Sequence, residues 1–368
     1  MDKSKWEYKK LGEVCTKASS NIVLNKIKDS DGDYPLYGAN GFVKNIDFYH
    51  QPNEYIGIVK DGSGVGRVNI YPSKSSLVGT MQYILPTGEV TLSYLKYFLQ
   101  SKNLGRYASG AAIPHIYFKD YSKELIPVLP TKEQNHIVSE LDQLSAIISL
   151  KQQQVKEYYA LIESVFYDMF GESIRENKLQ IKTIGELATD VKYGTSKAGG
   201  TEGIFKYLRM NNLTNDGYLD LNDITYVYLS DKKVKKYVVR KGDVLFNRTN
   251  SRERVGKTAL FDQEEEMVIA GYIIRVRLNN EISPVYLVRY MNLPYMKKVL
   301  RKLAKGAVGQ ANINAQQMKS IEVPLPPLSL QRSFAEKVKA IEHQKSLLKQ
   351  SIAETQTLLD SRMQEYFG

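Results

Sequence analysis

Between Asn247 and Lys257 the chain reads Asn-Arg-Thr-Asn-Ser-Arg-Glu-Arg-Val-Gly-Lys. Asn247, Arg248, Thr249, Asn250, Arg252, Arg254 and Lys257 together hold the donor types that phosphates and base edges accept. Arginine can pair with two acceptors of guanine and asparagine with adenine, while Ser, Thr and Lys commonly hold phosphate. The chemistry this suggests is non-covalent recognition of a polyanion; the alternative is an exposed charged turn. An earlier segment, Lys60-Asp61-Gly62-Ser63-Gly64-Val65-Gly66-Arg67, matches it in outline and offers Lys60, Ser63 and Arg67. Its glycines do not make a phosphate-cradling loop: no Gly-Lys-Ser/Thr follows, and no dinucleotide fingerprint is present. A glycine-rich hairpin that lets backbone approach a partner closely is the better account.

Two further loops repeat one another. Gly110-Ala111-Ala112-Ile113-Pro114-His115-Ile116 matches Gly306-Ala307-Val308-Gly309-Gln310-Ala311-Asn312-Ile313, with one extra residue in the second. Around them stand Lys102, Arg106 and His115 in the first copy and Lys302, Lys305, Gln310 and Asn312 in the second, all candidates for phosphate or base contact. His115 is equally suited to a structural hydrogen bond. Arg209 completes the set of candidate phosphate or base contacts.

No catalytic constellation stands beside these loops. The chain has no Asn-Pro-Pro-Tyr or Asp-Pro-Pro-Tyr tetrapeptide, no glycine-rich cofactor motif, no helicase phosphate loop and no nuclease cluster. Its four histidines are scattered, and no ligand cluster supports a metal. The single cysteine, Cys15, reads as a buried small hydrophobe and fits a reducing compartment. The expectation is a chain that binds while its partners do the chemistry.

The elements that position these loops are announced by a repeat. Pro130 to Gly171 and Pro327 to Gly368 are blocks of equal length, each with a glutamine four places after the proline (Gln134, Gln331) and each closing on Phe-Gly. In the first block Ile137, Leu141, Leu144, Ile148, Val155, Tyr158, Ile162, Val165 and Met169 follow a heptad seam, with Lys151 at its one polar position. In the second, Phe334, Val338, Ile341, Leu348, Ile352, Leu359 and Tyr366 do so, interrupted by Lys345, Thr355 and Arg362. Those interruptions mark wet positions or places where partners pack. The pattern predicts two long helices. Thr131 is expected as N-cap of the first with Gln134 closing a capping box, Ser329 as the weaker cap of the second, and Gly171 as the residue ending the first. Some 38 helical residues give a rod of about 57 Å. Neither helix can bury its stripe alone, so the two are expected to pair antiparallel, which sets Ile137 near Leu359 and not near Phe334.

Each block follows a mixed segment of short strand-like runs. In the first these are Tyr55–Val59, Val65–Tyr71 and Met81–Leu85; in the second, Tyr237–Val239, Asp243–Phe246, Lys257–Phe261 and Tyr272–Leu278. A helix is predicted after each set, at Ser93–Gln100 and from Pro284 to about Leu300. Net charge is +11 and uneven. Residues 1–125 carry 16 basic and 12 acidic groups (+4), residues 126–171 carry 3 and 6 (−3), residues 172–322 carry 26 and 17 (+9), and residues 323–368 carry 6 and 5 (+1). A polyanion would be drawn to the mixed segments and leave the rods alone. No run is apolar enough to span a membrane and the N-terminus lacks a signal-peptide stretch, so a cytoplasmic location is expected.

These features together resemble the specificity (HsdS) subunit of type I restriction–modification systems. The resemblance covers essentially the whole chain. It rests on Ile-Pro-Val-Leu-Pro-Thr-Lys-Glu-Gln-Asn-His-Ile at 126–137 and Val-Pro-Leu-Pro-Pro-Leu-Ser-Leu-Gln-Arg-Ser-Phe at 323–334, on the helix after each and the glycine loop before each, and on the opening Leu11-Gly12-Glu13 and Ile184-Gly185-Glu186. It implies an α+β architecture: two mixed α/β target-recognition domains joined by two long antiparallel coiled-coil helices, with pseudo-two-fold symmetry. The implied boundaries are 1–128 and 172–325 for the recognition domains and 129–171 and 326–368 for the helices. Each domain would read one half of a bipartite target in double-stranded DNA. The helices would fix the spacer and dock two methyltransferase subunits, and restriction subunits would join the full complex. The chain itself would be non-catalytic and without a cofactor; S-adenosylmethionine, ATP and magnesium would belong to the partners. One departure stands out: the first segment has Asp61-Gly-Ser-Gly where the second has its arginine cluster. The alternatives are a protein-binding scaffold without direct DNA readout, and an enzyme whose site lies in one head.

Overall fold

The computed structural model describes residue 3 and residues 6–110, 113–306 and 309–368. The longer helices among the described residues are α1 Leu92–Ser101, α2 Thr131–Arg175, α3 Pro284–Asn292, α4 Pro294–Leu303 and α5 Leu328–Phe367. The chain divides into two units, one of residues 1–152 and 349–368, the other of residues 153–348. Both long helices therefore contribute to both units.

In the first unit, alternating and apolar runs pair into an antiparallel sheet ordered Cys15–Ser19, Met81–Pro86, Tyr55–Val59, Val68–Tyr71. Tyr55–Val59 is buried along its whole length, as a central strand covered on both faces must be. A smaller sheet, Gly41–Ile46, Tyr34–Gly38, Ser76–Leu77, adds a parallel pair. Thr91 caps α1 through its side-chain oxygen, and Tyr94, Leu95 and Phe98 sink into the core. Cys15 is 1% exposed, its Sγ donating to the Leu11 carbonyl at 3.2 Å, and burial pushes its thiol up to about 12.

The second unit repeats the plan. Its main sheet runs Ala188–Tyr193, Ile273–Leu278, Val244–Asn247, Thr258–Leu260, the same order with the same antiparallel pairings. Its other sheet, Thr225–Val227, Phe205–Leu208, Met267–Ile269, again holds a parallel pair and gains a fourth strand, Val238–Val239. The Leu-Gly-Glu and Ile-Gly-Glu signatures are one-turn helices in both units. Glu13 and Glu186 reach back to the N–H groups of Lys10 and Thr183, at 2.8 and 2.7 Å. The single helix expected from Pro284 to about Leu300 is two helices. Leu293 is extended (φ −60°, ψ 146°) because the ring of Pro294 excludes the helical conformation from its predecessor.

Within each unit the long helices pack antiparallel. In the first, Ile137, Leu141, Leu144 and Ile148 of α2 share an apolar cluster with Ile352, Leu359, Tyr366 and Phe367 of α5. In the second, Ile162, Phe166 and Phe170 of α2 share one with Phe334 and Val338 of α5, and Ile341 packs against it. Phe334 meets the rings of Phe166 and Phe170 edge-on at 5.5 and 5.4 Å, each such buried ring worth roughly 2–3 kcal/mol. Val155 and Leu348 are half-buried. The heptad reading selects Val165 and Met169 here, yet the fully covered residues are Phe166 and Phe170. Spacing of four from Ile162 follows the 3.6-residue period of a helix facing a globular core. The polar interruptions close internally. Lys151 donates to Ser351 Oγ (2.7 Å) and Thr355 Oγ1 (2.9 Å), Arg362 pairs with Glu140 (2.9 Å), and Lys345 pairs with Glu342 (2.5 Å).

The expected helix ends need correction. The N–H groups of Glu133 and Gln134 bond to the Pro130 carbonyl, and those of Leu330 and Gln331 to the Pro327 carbonyl. Thr131 and Ser329 thus stand inside their helices and are not caps. Gln134 forms no capping box; its side chain is buried against the core. Helix α2 also continues through Gly171 to Arg175, with Gly171 in ordinary helical backbone.

Candidate nucleic-acid interface

The hairpin after the central strand is built alike in both units. In the first, Val59 and Arg67 pair (N–O 3.0 Å) and Gly66 returns its N–H to Val59 (2.8 Å). In the second, Asn247 pairs with Lys257 (2.8 Å) and Gly256 returns its N–H to Asn247 (2.8 Å). Both glycines have positive φ, 88° and 82°. Both also need to lack a side chain: a Cβ on Gly66 would meet the Gly105 nitrogen at 2.4 Å, and one on Gly256 would meet Leu300 at 2.8 Å. The hairpins thereby press onto the segment that follows α1 or α3.

The glycine loops lie against these hairpins. Ile116 N–H bonds to the Lys60 carbonyl (3.0 Å) and Gly62 N–H to the Pro114 carbonyl (2.9 Å). Ile313 N–H bonds to the Arg248 carbonyl (2.9 Å), and Thr249–Asn250 pairs in a short ladder with Ala311–Asn312. The side-chain link differs: His115 Nδ1 bonds to the Asp61 carboxylate in the first unit, whereas Thr249 Oγ1 donates to Asn312 Oδ1 (2.9 Å) in the second. Of the loops themselves, Ala111, Ala112, Ala307 and Val308 lie outside the described residues.

The first unit's cations turn inward. Lys60 lies 3.8 Å from Asp61. Arg67 folds over its own turn onto the carbonyls of Ser63 (3.2 Å) and Gly64 (3.3 Å). Arg106 pairs with Glu124 at 2.6 Å. Lys102 donates to the Phe367 carbonyl at the end of α5 (2.5 Å), and burial holds its amine below the usual lysine range. Ser63 is exposed at the hairpin tip.

In the second unit the candidates separate into supports and free groups. Asn247 is fully buried, and Lys257 is nearly so, donating to the Leu213 carbonyl (2.8 Å). Burial first, then the neighbouring Arg254, lowers the Lys257 amine. Arg248 lies over the Tyr193 ring at 4.8 Å. Arg209, at the end of strand Phe205–Leu208, is held by Asp223 (2.7 Å) and makes no bond to the hairpin. Arg252, Arg254, Lys302, Lys305 and Gln310 are exposed. Sequence reasoning left out Lys298 and Arg301, exposed on α4, where they join this group. Only the packing of Leu300 on Gly256 reveals that α4 flanks the hairpin. Among the described residues no group of three or more His, Cys, Asp or Glu could hold a metal ion, and no helix is long and apolar enough to cross a membrane.

Comparison with known proteins points in one direction. The family model described as the type I restriction modification DNA specificity domain matches residues 3–157 and 176–356. The MjaX type I restriction enzyme specificity subunit of Methanocaldococcus jannaschii is 29% identical over 159 residues, covering 42% of this chain. The EcoKI specificity subunit of Escherichia coli K12 is 23% identical over 265 residues, covering 67%. The matched stretches span 37% and 57% of those two relatives' own lengths. The crystal structure of the type I restriction–modification S subunit from M. genitalium has the same fold, with a TM-score of 0.51, 16% identity, and coverage of 100% of this chain and 97% of that one.

Proposed function

The chain belongs to the type I restriction–modification DNA specificity family, and from that premise we propose that it reads a bipartite sequence in double-stranded DNA, one half through each mixed segment. Residues 1–128 and 172–325 are the reading domains, and residues 129–171 and 326–368 form the helices that set the gap between half-sites. The observation that carries this reading is the twice-built hairpin and glycine loop on two copies of one scaffold, with different side chains in each. A single scaffold with interchangeable loops suits two different half-sites.

The helices are also the docking surface for methyltransferase subunits, through which restriction subunits join. Leu150 and Leu161 of α2 are 63% and 44% exposed, and Leu347 and Leu358 of α5 are 47% and 48% exposed. They occupy the same places in the two repeats, which are offset by 197 residues. Outward apolar residues kept in both copies favour two equivalent partners. S-adenosylmethionine, ATP and magnesium belong to those partners, and methylation of adenine is theirs to perform.

The test is to map methylated adenines in DNA exposed to this chain with its methyltransferase partner. Two short fixed blocks separated by unread bases are expected. Methylation without the chain, or without a sequence pattern in its presence, would refute the reading.

A further inference from the structure

The two units part company where the hairpin meets the segment after the first domain helix. In the first unit that segment is a single turn, Leu104–Tyr107, and Lys60, Arg67, Lys102 and Arg106 around it are engaged by the protein. In the second unit it is the ten-residue helix α4, which carries Lys297, Lys298, Arg301 and Lys302 and no acidic residue. Met296 and Leu300 face the core, so Lys298, Arg301 and Lys302, at spacings of three and four, share the solvent face. Across the Gly256–Leu300 contact stand Arg252 and Arg254, both exposed. Among the described residues none of these five cations makes an ion pair or hydrogen bond through its side chain. The fields overlap: Glu253, first held low by its own backbone N–H and by Ser251, is lowered further by Arg301 and Arg254.

We propose that α4 and the hairpin Thr249–Gly256 form a cationic arm that grips the phosphates of duplex DNA beside the half-site read by the second unit, a grip the first unit lacks. This rests on the DNA-reading function above. Five close cations outnumber the one carboxylate among them, Glu253, and the remaining repulsion is relieved by a polyanion. A helix edge and an adjoining hairpin offer donors along a line, as a phosphate backbone requires. The half-sites are therefore held unequally, the second by salt-sensitive backbone contacts.

The experiment measures binding of the full-length chain to a labelled duplex of arbitrary sequence while salt rises from about 0.05 to 0.2 M. The triple variant K298Q/R301Q/K302Q is compared with K232Q/K233Q/K235Q, which removes equal charge from another exposed helix, Asp231–Tyr237. The arm variant is expected to weaken binding at least about tenfold at the lower salt and to flatten the log–log salt slope by about 2.7, since each of three lost phosphate contacts removes about 0.9. Circular dichroism confirms that α4 survives. An unchanged slope in the arm variant, or an equal change in the control, overturns the proposal. Failure of the unaltered chain to bind any duplex would instead sink the DNA-reading function on which it rests.

Discussion

Gln134 accepts the backbone N–H of Thr91 at 2.8 Å while its amide group donates to the carbonyls of Leu129 (2.8 Å) and Glu89 (2.9 Å). Gln331 repeats this with Ser283 (2.8 Å), Pro326 (2.8 Å) and Glu281 (3.3 Å). Both glutamines are essentially inaccessible to solvent. Thr91 and Ser283 are the N-caps of α1 and α3. Each long helix is thus bolted by one buried amide to the start of its domain's first helix. Tyr94 and Tyr286 add a matching bond to the carbonyls of Pro127 (3.0 Å) and Pro324 (2.8 Å).

Gln134→Ala strands one donor and two acceptors. It is expected to destabilise the first unit by about 2–3 kcal/mol, and Gln331→Ala should do the same for the second. Denaturant midpoints measure the loss, and amide exchange locates it at Thr91 or Ser283. A change confined to the solvent-exposed N-terminal turn of the long helix would show the glutamines to be helix caps after all.

Lys345 occupies the repeat position of Ile148 and is at least as buried. It pairs with Glu342 at 2.5 Å and lies over the rings of Tyr218 (3.7 Å) and Tyr159 (4.3 Å). Lys345→Ala should cost about 2 kcal/mol, below the figure for a fully buried pair because Glu342 keeps Arg289 at 3.3 Å and some water. The double variant K345I/E342S should recover part of it, since Ile148 and Ser145 stand at those two positions in the first copy. Thermal or denaturant unfolding of the three proteins decides.

Lys297 donates to Asn292 Oδ1 (2.6 Å), and burial pushes its amine down to about 8 from the usual 10.5. Between those values the unfolded chain binds the proton and the folded chain does not. Stability therefore rises as pH climbs from about 8 to 10.5, and the penalty for charging the amine is fully present below 8. Lys297→Met should stabilise the protein at pH 7 by about 2–4 kcal/mol and by much less at pH 10. Equal effects at both pH values would mean that the amine is not depressed.

Much of this was legible beforehand because local rules suffice for it. The heptads of Ile137 through Ile162 and Phe334 through Leu359 announced paired helices, and the two blocks of equal length announced duplicated architecture. What escaped was set by tertiary contact. Gln134 three places after Thr131 satisfies a capping-box pattern, and nothing local reveals that Thr91 will claim its side chain. Gly171 resembles a helix stop, but glycine ends a helix only where the chain turns, and packing carries α2 past it. Asn247 and Lys257 have the chemistry of contact residues, yet the strand pairing buries them. Arg301 and Lys298 have the same chemistry and went unmarked, because their nearness to Arg254 depends on Leu300 meeting Gly256.

Arg252 and Arg254 are the hairpin's exposed guanidinium groups. If either pairs with a guanine, its replacement by alanine costs roughly 1–3 kcal/mol of discrimination at that base. The expected outcome is a relaxed position in one half of the methylated motif, with the other half unchanged. Motif mapping for each variant checks this; an unaltered motif and affinity in both would return the hairpin to a plain charged turn.

The central claim is that the loops specify sequence and the helices specify spacing. It is tested most directly by inserting one heptad into each of α2 and α5, near Gln152 and Lys349, and mapping the methylated motif made with the methyltransferase partner. The account predicts the same two sequence blocks with a different gap between them. The old gap combined with new blocks would contradict it.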